Sequence, residues 1–492
     1  MSKLITFLRT KPVFIFLLPV FFVLHGYSEN YNLVPVKDAV ILALFYIGLG
    51  LGISLLFWPL YKSHRKAHLF AICILGYQFF FGSAFDFLKK TFNDSFLSHY
   101  SFILPVSLLA FVLVLVMLRK TKRPLLKPVL FLNVLLGIFI LTDCGLLAIK
   151  ANKKTAIAPV NTVFSPCLDC PSPDIYLIIA DGYPGKTELQ DLFAYDNTAF
   201  ENELQKRKFH IIDSSSSNYN FTPFSVSSMF NMHYLEGIVG SNSNKNDLSL
   251  CYNTLQNSAL LQFLAGRGYE FFNFSIFDFA RQPSLAVPTF LPRRTKSITT
   301  QTFTSRLKKD LGYHLVTTFK LPSLIKADRN RDLNNNTKLF SRTMEIAEQK
   351  SARPKFVYTH LAMPHYPYYF DSSGNAMSYT MLTDEYILDK KAFLGYLHYS
   401  NRKYLELIDH ILAASATPPI IILMSDHGLR ELKDSVDKKY YFMNLNSVFL
   451  PGSNYSGFYK GQTNINQFRI ILNTQFQQHL RLLKDSSSFL VE

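Results

Sequence analysis

The stretch PDIYLIIADGY, residues 173–183, decides the fold. Ile175 to Ala180 form an unbroken apolar run, short, rich in isoleucine and bounded by Pro173 and Gly182. Such a run predicts a strand buried on both faces of a sheet. Asp181 follows at once, and in open α/β sheets ligands lie beyond the carboxyl ends of the strands. The pattern recurs at residues 420–428, IIILMSDHG, where an apolar run leads to Asp426 with His427 and Gly428 behind it. Acids after strands are also ordinary turn residues. Two such strands can be neighbours in one sheet, and together they predict Asp181, Asp426 and His427 gathered around a metal ion.

Working outward, apolar strands alternate with amphipathic helices from Pro173 to about Ser488. Strand candidates are Phe209–Ile212, Tyr269–Phe274, Lys355–His360, Ile420–Met424 and Ser447–Leu450. Helix candidates are Asn197–Lys206, Thr254–Ala265, Phe340–Gln349 and Ala392–Leu412. The last carries Leu397, Tyr404, Leu405, Ile408, Ile411 and Leu412 at helical spacing, the mark of a core-facing stripe. This is one α/β domain. A basic insert, Arg281–Asp332, holds 11 Lys or Arg against 3 Asp and is expected as loops and short helices over that core.

The region before it differs in kind. The chain has 492 residues, 48% hydrophobic, yet a formal charge of +16. Five charge-poor segments stand out: Val13–Leu24, Ala39–Leu60, Ala67–Phe85, Ser95–Leu118 and Pro128–Ile149. A bilayer span needs roughly 20 apolar residues. The first segment is short and follows Lys3, Arg9 and Lys11 like a signal peptide, but no small-residue cleavage site follows, which points to an uncleaved anchor. Asp143, in the fifth, is expected near the outer end of its helix, because a charge within a span is costly. Lys3, Arg9 and Lys11, then Lys62, Arg65 and Lys66, then Arg119, Lys120, Lys122, Arg123 and Lys127 alternate with loops poorer in excess positive charge. Positive loops stay in the cytoplasm, so five spans put everything after Ile149 outside. Residues 1–150 hold 15 Lys and Arg against 5 Asp and Glu. Most of the charge is therefore a topology signal and gives no reason to expect nucleic acid. The expected division is residues 1–149 transmembrane, 150–172 a linker and 173–492 an extracytoplasmic domain. Outside the cytoplasm, Cys167 and Cys170 in the linker read as a local disulfide.

Two further clusters carry chemistry. In SNYNFTPFSVSSMFN, residues 217–231, Thr222 reads as a helix N-cap with Pro223 at the first helical position. A hydroxyl there sits at the positive end of the helix dipole, beside free N–H groups, where an anion or alkoxide is stabilised. In THLAMPHYPYYFD, residues 359–371, His360 ends a strand and His365 lies in a Pro-flanked loop, placed to bind an oxyanion or a metal or to move a proton.

Through DIYLIIADGY, SNYNFTPFSVSSMFNMHYL, HLAMPHYPYYFD, the 396–412 helix with Asn401, and MSDHG, the domain resembles the sulfatase-like branch of the alkaline phosphatase superfamily. With five spans ahead of it, the chain is similar to lipoteichoic acid synthases and lipid A phosphoethanolamine transferases. The resemblance implies a five-helix transmembrane region followed by an α/β sandwich of alkaline phosphatase type, in a bacterial inner membrane. It implies one divalent ion, Mn, Mg or Zn, held by Asp181, Thr222, Asp426 and His427. Thr222 would be the nucleophile and His365 would bind substrate. The donor would be a membrane lipid, the acceptor an envelope lipid or glycan, with no nucleic acid involved. Formylglycine-dependent sulfatases carry C/S-x-P-x-R, and Thr222-Pro223-Phe224-Ser225 lacks both the Cys and the Arg. Transfer of a phospho-alcohol group is thus expected ahead of two alternatives, hydrolysis of a sulfuric or phosphoric ester and a non-catalytic membrane-anchored module.

Overall fold

A computed structural model describes residues 2–31, 33–92, 95–152, 162–167, 170–238, 245–280, 282–285, 291–318, 330–382, 386–431 and 436–491. The chain forms two compact units, Met1–Thr155 with Pro288–Pro322, and Ala156–Val287 with Ser323–Glu492.

The first unit is helical: α1 (Ser2–Thr10), α2 (Phe14–Glu29), α3 (Val36–Tyr61), α4 (His64–Phe92), α5 (Tyr100–Lys120) and α6 (Leu126–Asn152). The last four are each long and apolar enough to cross a membrane. The first expected span is a bent pair, α1 and α2 meeting at 89°, so the described helices give four spans, or five if the pair counts as one. The 16 residues of α2 reach about 24 Å, short of a hydrocarbon core of roughly 30 Å. Asn133 of α6 explains the bend. Its side-chain N–H groups donate to the Leu8 and Lys11 carbonyls, and its Oδ1 accepts from Phe14 N–H at 2.6 Å, so the backbone groups freed by the break are satisfied. Asp143 lies in the last third of α6 and is buried, and what makes that tolerable is His25, whose Nδ1 lies 3.2 Å from Asp143 Oδ1.

The basic insert also departs from expectation. Its residues 288–322 belong to the helical unit, and its helix Phe303–Thr318 is not short. Tyr100 donates to Asp310 at 2.6 Å, Gly82 N–H to the Gln301 carbonyl at 2.8 Å, and Arg306 pairs with Asp86. A polar seam with residues two hundred positions away leaves no periodic trace in a sequence. Residues 281, 286–290 and 319–329 of the insert, and 153–161 with 168–169 of the linker, lie outside the described residues.

The second unit is built on a six-stranded sheet: β1 (Ile175–Ala180), β2 (His210–Ile211), β3 (Glu270–Phe274), β4 (Lys355–Leu361), β5 (Ile420–Met424) and β6 (Asn446–Phe449), in the order β2-β6-β5-β1-β4-β3. Strands β3, β4, β1 and β5 are parallel, while β6 and β2 continue the sheet antiparallel. Side chains alternate across a strand, and β1 serves two cores. Ile175, Leu177 and Ile179 pack with Met229 and Phe230 of the helix Thr222–Asn231 and with Phe468 and Ile471 of Asn464–Phe476. Tyr176, Ile178 and Ala180 pack with Tyr396, Leu397, Tyr404 and Ile408 of the helix Lys390–Ala414. The result is a three-layer α/β/α sandwich, with β1 fully buried as its unbroken apolar run demands. The expected helix at 254–265 is instead two helices, because Ser258 caps the second by accepting from Leu261 N–H. Cys167 and Cys170 form a disulfide, and Arg267 donates to both of their carbonyls at 2.8 Å.

Candidate metal centre

Strands β1 and β5 pair directly, with Ile179 opposite Met424. Parallel pairing brings both carboxyl ends to one edge, and the acids beyond them meet. One ligand atom from each of Asp181, Asp426 and His427 lies within 4.8 Å of the other two, and all three side chains are buried.

The details suit a cation. His427 Nδ1 donates to the Gly428 carbonyl at 2.7 Å, leaving Nε2 to face the carboxylates, 3.3 Å from Asp426 Oδ2 and 3.8 Å from Asp181 Oδ1. Those two oxygens are buried without a hydrogen-bond partner. Buried carboxylate oxygens left unpaired are costly, and two converging on one imidazole nitrogen form a donor set for Mn²⁺, Mg²⁺ or Zn²⁺. The other oxygens are fixed. Gly182 N–H donates to Asp426 Oδ1 at 3.2 Å, and His360 Nε2 meets Asp181 Oδ2 at 3.3 Å. Burial would raise the Asp181 carboxyl, but the His360 hydrogen bond and the charge of His365 hold it well below the usual carboxylate range.

Thr222 completes the group. Its Oγ1 lies 3.1 Å from His427 Nε2. It does not cap the helix, as the sequence suggested. The cap position is Phe221 and Thr222 is the first helical residue, with no side-chain capping bond, so the hydroxyl turns toward the strand ends instead. The neighbouring hydroxyls are otherwise occupied. Ser225 donates to the Asp426 carbonyl at 2.6 Å, Ser227 to Cys251 and Ser228 to Ser225.

His360 has a place that neighbouring strands make intelligible: it sits opposite Ile179 in the β1–β4 register. Tyr358, its hydroxyl kept protonated by burial first and by Asp426 and Asp181 next, lies 2.9 Å from His360 Nδ1. That fixes the proton of His360 on Nε2, where it donates to Asp181. His365 lies beside Gly182, a left-handed residue at φ 65° whose added Cβ would stand 3.6 Å from the imidazole Cδ2. Its Nδ1 donates to the Tyr366 carbonyl at 2.6 Å and its Nε2 lies 3.3 Å from Glu431 Oε1. Burial alone would lower the His365 pKa. The hydrogen bond to Glu431 and the charges of Asp181 and Glu431 outweigh it and raise the pKa to about 10, making the ring a cation.

Sequence reasoning missed Glu431 and the bracing of the loop after β5. Asn444 and Asn464 both donate to the Ser425 carbonyl, and the buried Glu188 accepts from Leu429 N–H at 3.3 Å. A Cβ on Gly428 would stand 2.0 Å from the Tyr440 carbonyl oxygen, so only glycine fits. Asn401 accepts from the Tyr183 hydroxyl at 2.6 Å and donates to Asn197.

No family model matches the chain, and no curated protein matches it. Among solved structures, it is similar to the integral membrane lipooligosaccharide phosphoethanolamine transferase A of Neisseria meningitidis, at 11% identity and TM-score 0.40, over 93% of this chain and 95% of that one. It is similar to the C-terminal periplasmic domain of EptC from Escherichia coli in complex with zinc, at 13% identity and TM-score 0.39, over 64% of this chain and 86% of that one. A phosphonate monoester hydrolase of Agrobacterium radiobacter matches at 14% identity and TM-score 0.39, over 64% and 76%.

Proposed function

We propose that this protein is a metal-dependent, membrane-anchored enzyme that transfers a phospho-alcohol group from a membrane lipid to an envelope lipid or glycan through Thr222. The observation that carries the reading is the convergence of Asp181, Asp426 and His427 on one point, with the Thr222 hydroxyl 3.1 Å from His427 Nε2. A divalent ion bound there by these four residues would supply a lowered hydroxyl pKa and screening of the phosphoryl oxygens. The Thr222 oxygen attacks phosphorus, and the bond to the lipid alcohol breaks in line as the alcohol leaves with a proton. A phosphothreonine diester results. An acceptor hydroxyl then attacks the same phosphorus and restores Thr222. Both ring N–H groups of His365 are engaged by Tyr366 and Glu431, so its contribution to an anionic group beside Gly182 is its positive charge. Ser225, donating to the Asp426 carbonyl, fixes the helix of the nucleophile to the ligand-bearing loop.

The test is a product assay on the full chain in detergent with a headgroup-labelled phospholipid, with and without an acceptor alcohol. Label appearing on the acceptor supports transfer. Release of free headgroup phosphate at the same rate in both assays identifies a hydrolase instead.

A further inference from the structure

Consecutive antiparallel helices joined by a short loop are normally neighbours. Helices α5 and α6 are joined by residues 121–125, yet α6 packs on α1 and α2 while α5 packs on α3 and α4. The space left over is a cleft of about 590 Å³ with Cys73 and Gly76 of α4 and Met117 of α5 among its lining residues. Along α6 it runs from Leu125, just before the helix, to Phe139. At ~1.5 Å per residue that is about 21 Å, longer than half of a ~30 Å hydrocarbon core. A Cβ added to Gly76 would meet nothing within 4 Å, so the cleft is open there. Apart from the Cys73 thiol, every lining side chain is hydrocarbon, thioether or glycine, which gives water no partner and an acyl chain a full wall.

The mouth has a charge. Arg119, Lys120, Lys122, Arg123 and Lys127 are all exposed, no acid lies between residues 119 and 142, and none of the five has an ion-pair partner among the described residues. Two other cations fix the loop. Lys66 Nζ donates to the Thr121 carbonyl at 2.7 Å and Arg65 Nη1 to Pro124 at 3.5 Å. Basic residues at a membrane surface attract anionic headgroups. We propose that the cleft holds one acyl chain of an anionic phospholipid, its headgroup against the basic 119–127 loop. The headgroup end is at the start of α6, the far end of that helix from Asn152. The proposal is argued from the helical unit alone and does not rest on the chemistry proposed for Thr222.

The full chain, extracted in mild detergent and incubated with equal phosphatidylglycerol and phosphatidylethanolamine, is examined by native mass spectrometry. One lipid per chain should be retained, with phosphatidylglycerol favoured by at least about fivefold, the equivalent of ~1 kcal/mol. Gly76→Leu, which fills the open wall, should lose the lipid. Lys120→Gln with Lys122→Gln and Arg123→Gln should keep a lipid and lose the preference. As a check that needs no filled cleft, bimane on Cys73 in a Cys144→Ser chain should be quenched more by doxyl-labelled phosphatidylglycerol than by doxyl-labelled phosphatidylethanolamine. Loss of all lipid from the wild type, equal retention by Gly76→Leu, or equal quenching by the two lipids would overturn the proposal.

Discussion

Asp181 and Asp426 reach one point from two hydrogen-bonded parallel strands, and each leaves one buried oxygen there without a hydrogen-bond partner. A cation that binds the folded chain at 100 times its Kd stabilises it by about 2.7 kcal/mol. Mn²⁺ or Zn²⁺ should therefore raise the unfolding temperature of the wild type. Asp426→Asn should abolish that rise while leaving the metal-free protein at least as stable, since one buried charge is gone. Calorimetry with and without the ion reads both effects. An unchanged metal response in Asp426→Asn would remove the ligand assignment.

In the proposed site His360 would orient Asp181 through its Nε2 contact. Partners that hold a metal ligand in place are worth about 10–100-fold in affinity. His360→Leu should weaken metal binding in that range by isothermal titration, and Tyr358→Phe should weaken it less, because the imidazole remains. Wild-type affinity in His360→Leu would make the 3.3 Å contact with Asp181 incidental.

The loop after β5 depends on a glycine. Gly428→Ala places a methyl 2.0 Å from the Tyr440 carbonyl oxygen and 2.7 Å from that of Met443. Forced overpacking costs about 1–3 kcal/mol, and here the strain falls on backbone beside His427. Denaturant unfolding should show the loss, together with weakened metal binding. Full stability in this variant would contradict the packing described.

The His365–Glu431 pair sets a pH window. His365, with its pKa raised from 6.5 to about 10, contributes stability that is complete below 6.5 and fades as pH rises through about 10. Glu431, pushed up by burial but held down to about 2 by the His365 hydrogen bond and charge, contributes above 4.5 and fades as pH falls toward 2. The stability difference between wild type and Glu431→Gln should be flat from pH 4.5 to 6.5 and shrink on either side. A difference that grows from pH 7 to 10 would refute the pairing.

Orientation follows from the positive loops. A reporter active only outside the cytoplasm should be active when fused after Glu492 and silent when fused at Arg65 or Lys122. Activity at Lys122 would be incompatible with the expected topology.

The strands and the acids beyond them were legible because a fully buried strand has no polar alternation, and β1 and β5 are apolar from end to end. Thr222 was legible from its helix start, though its hydroxyl turned out to face His427 instead of a backbone N–H. Glu431 was not legible: an acid five positions beyond Asp426 means nothing until folding sets it against His365. The same holds for Asn133, whose amide decides the break between α1 and α2 from over a hundred residues away. Periodicity reports which face is buried and is silent on which polar atoms meet.

The most direct test of the proposed chemistry is peptide mapping of the full chain quenched during turnover with a headgroup-labelled phospholipid. The phospho-alcohol adduct should sit on Thr222, and Thr222→Ala should bind metal yet form no adduct. An adduct on Ser225, Ser227 or Ser228, or full turnover in Thr222→Ala, would contradict the assignment of the nucleophile.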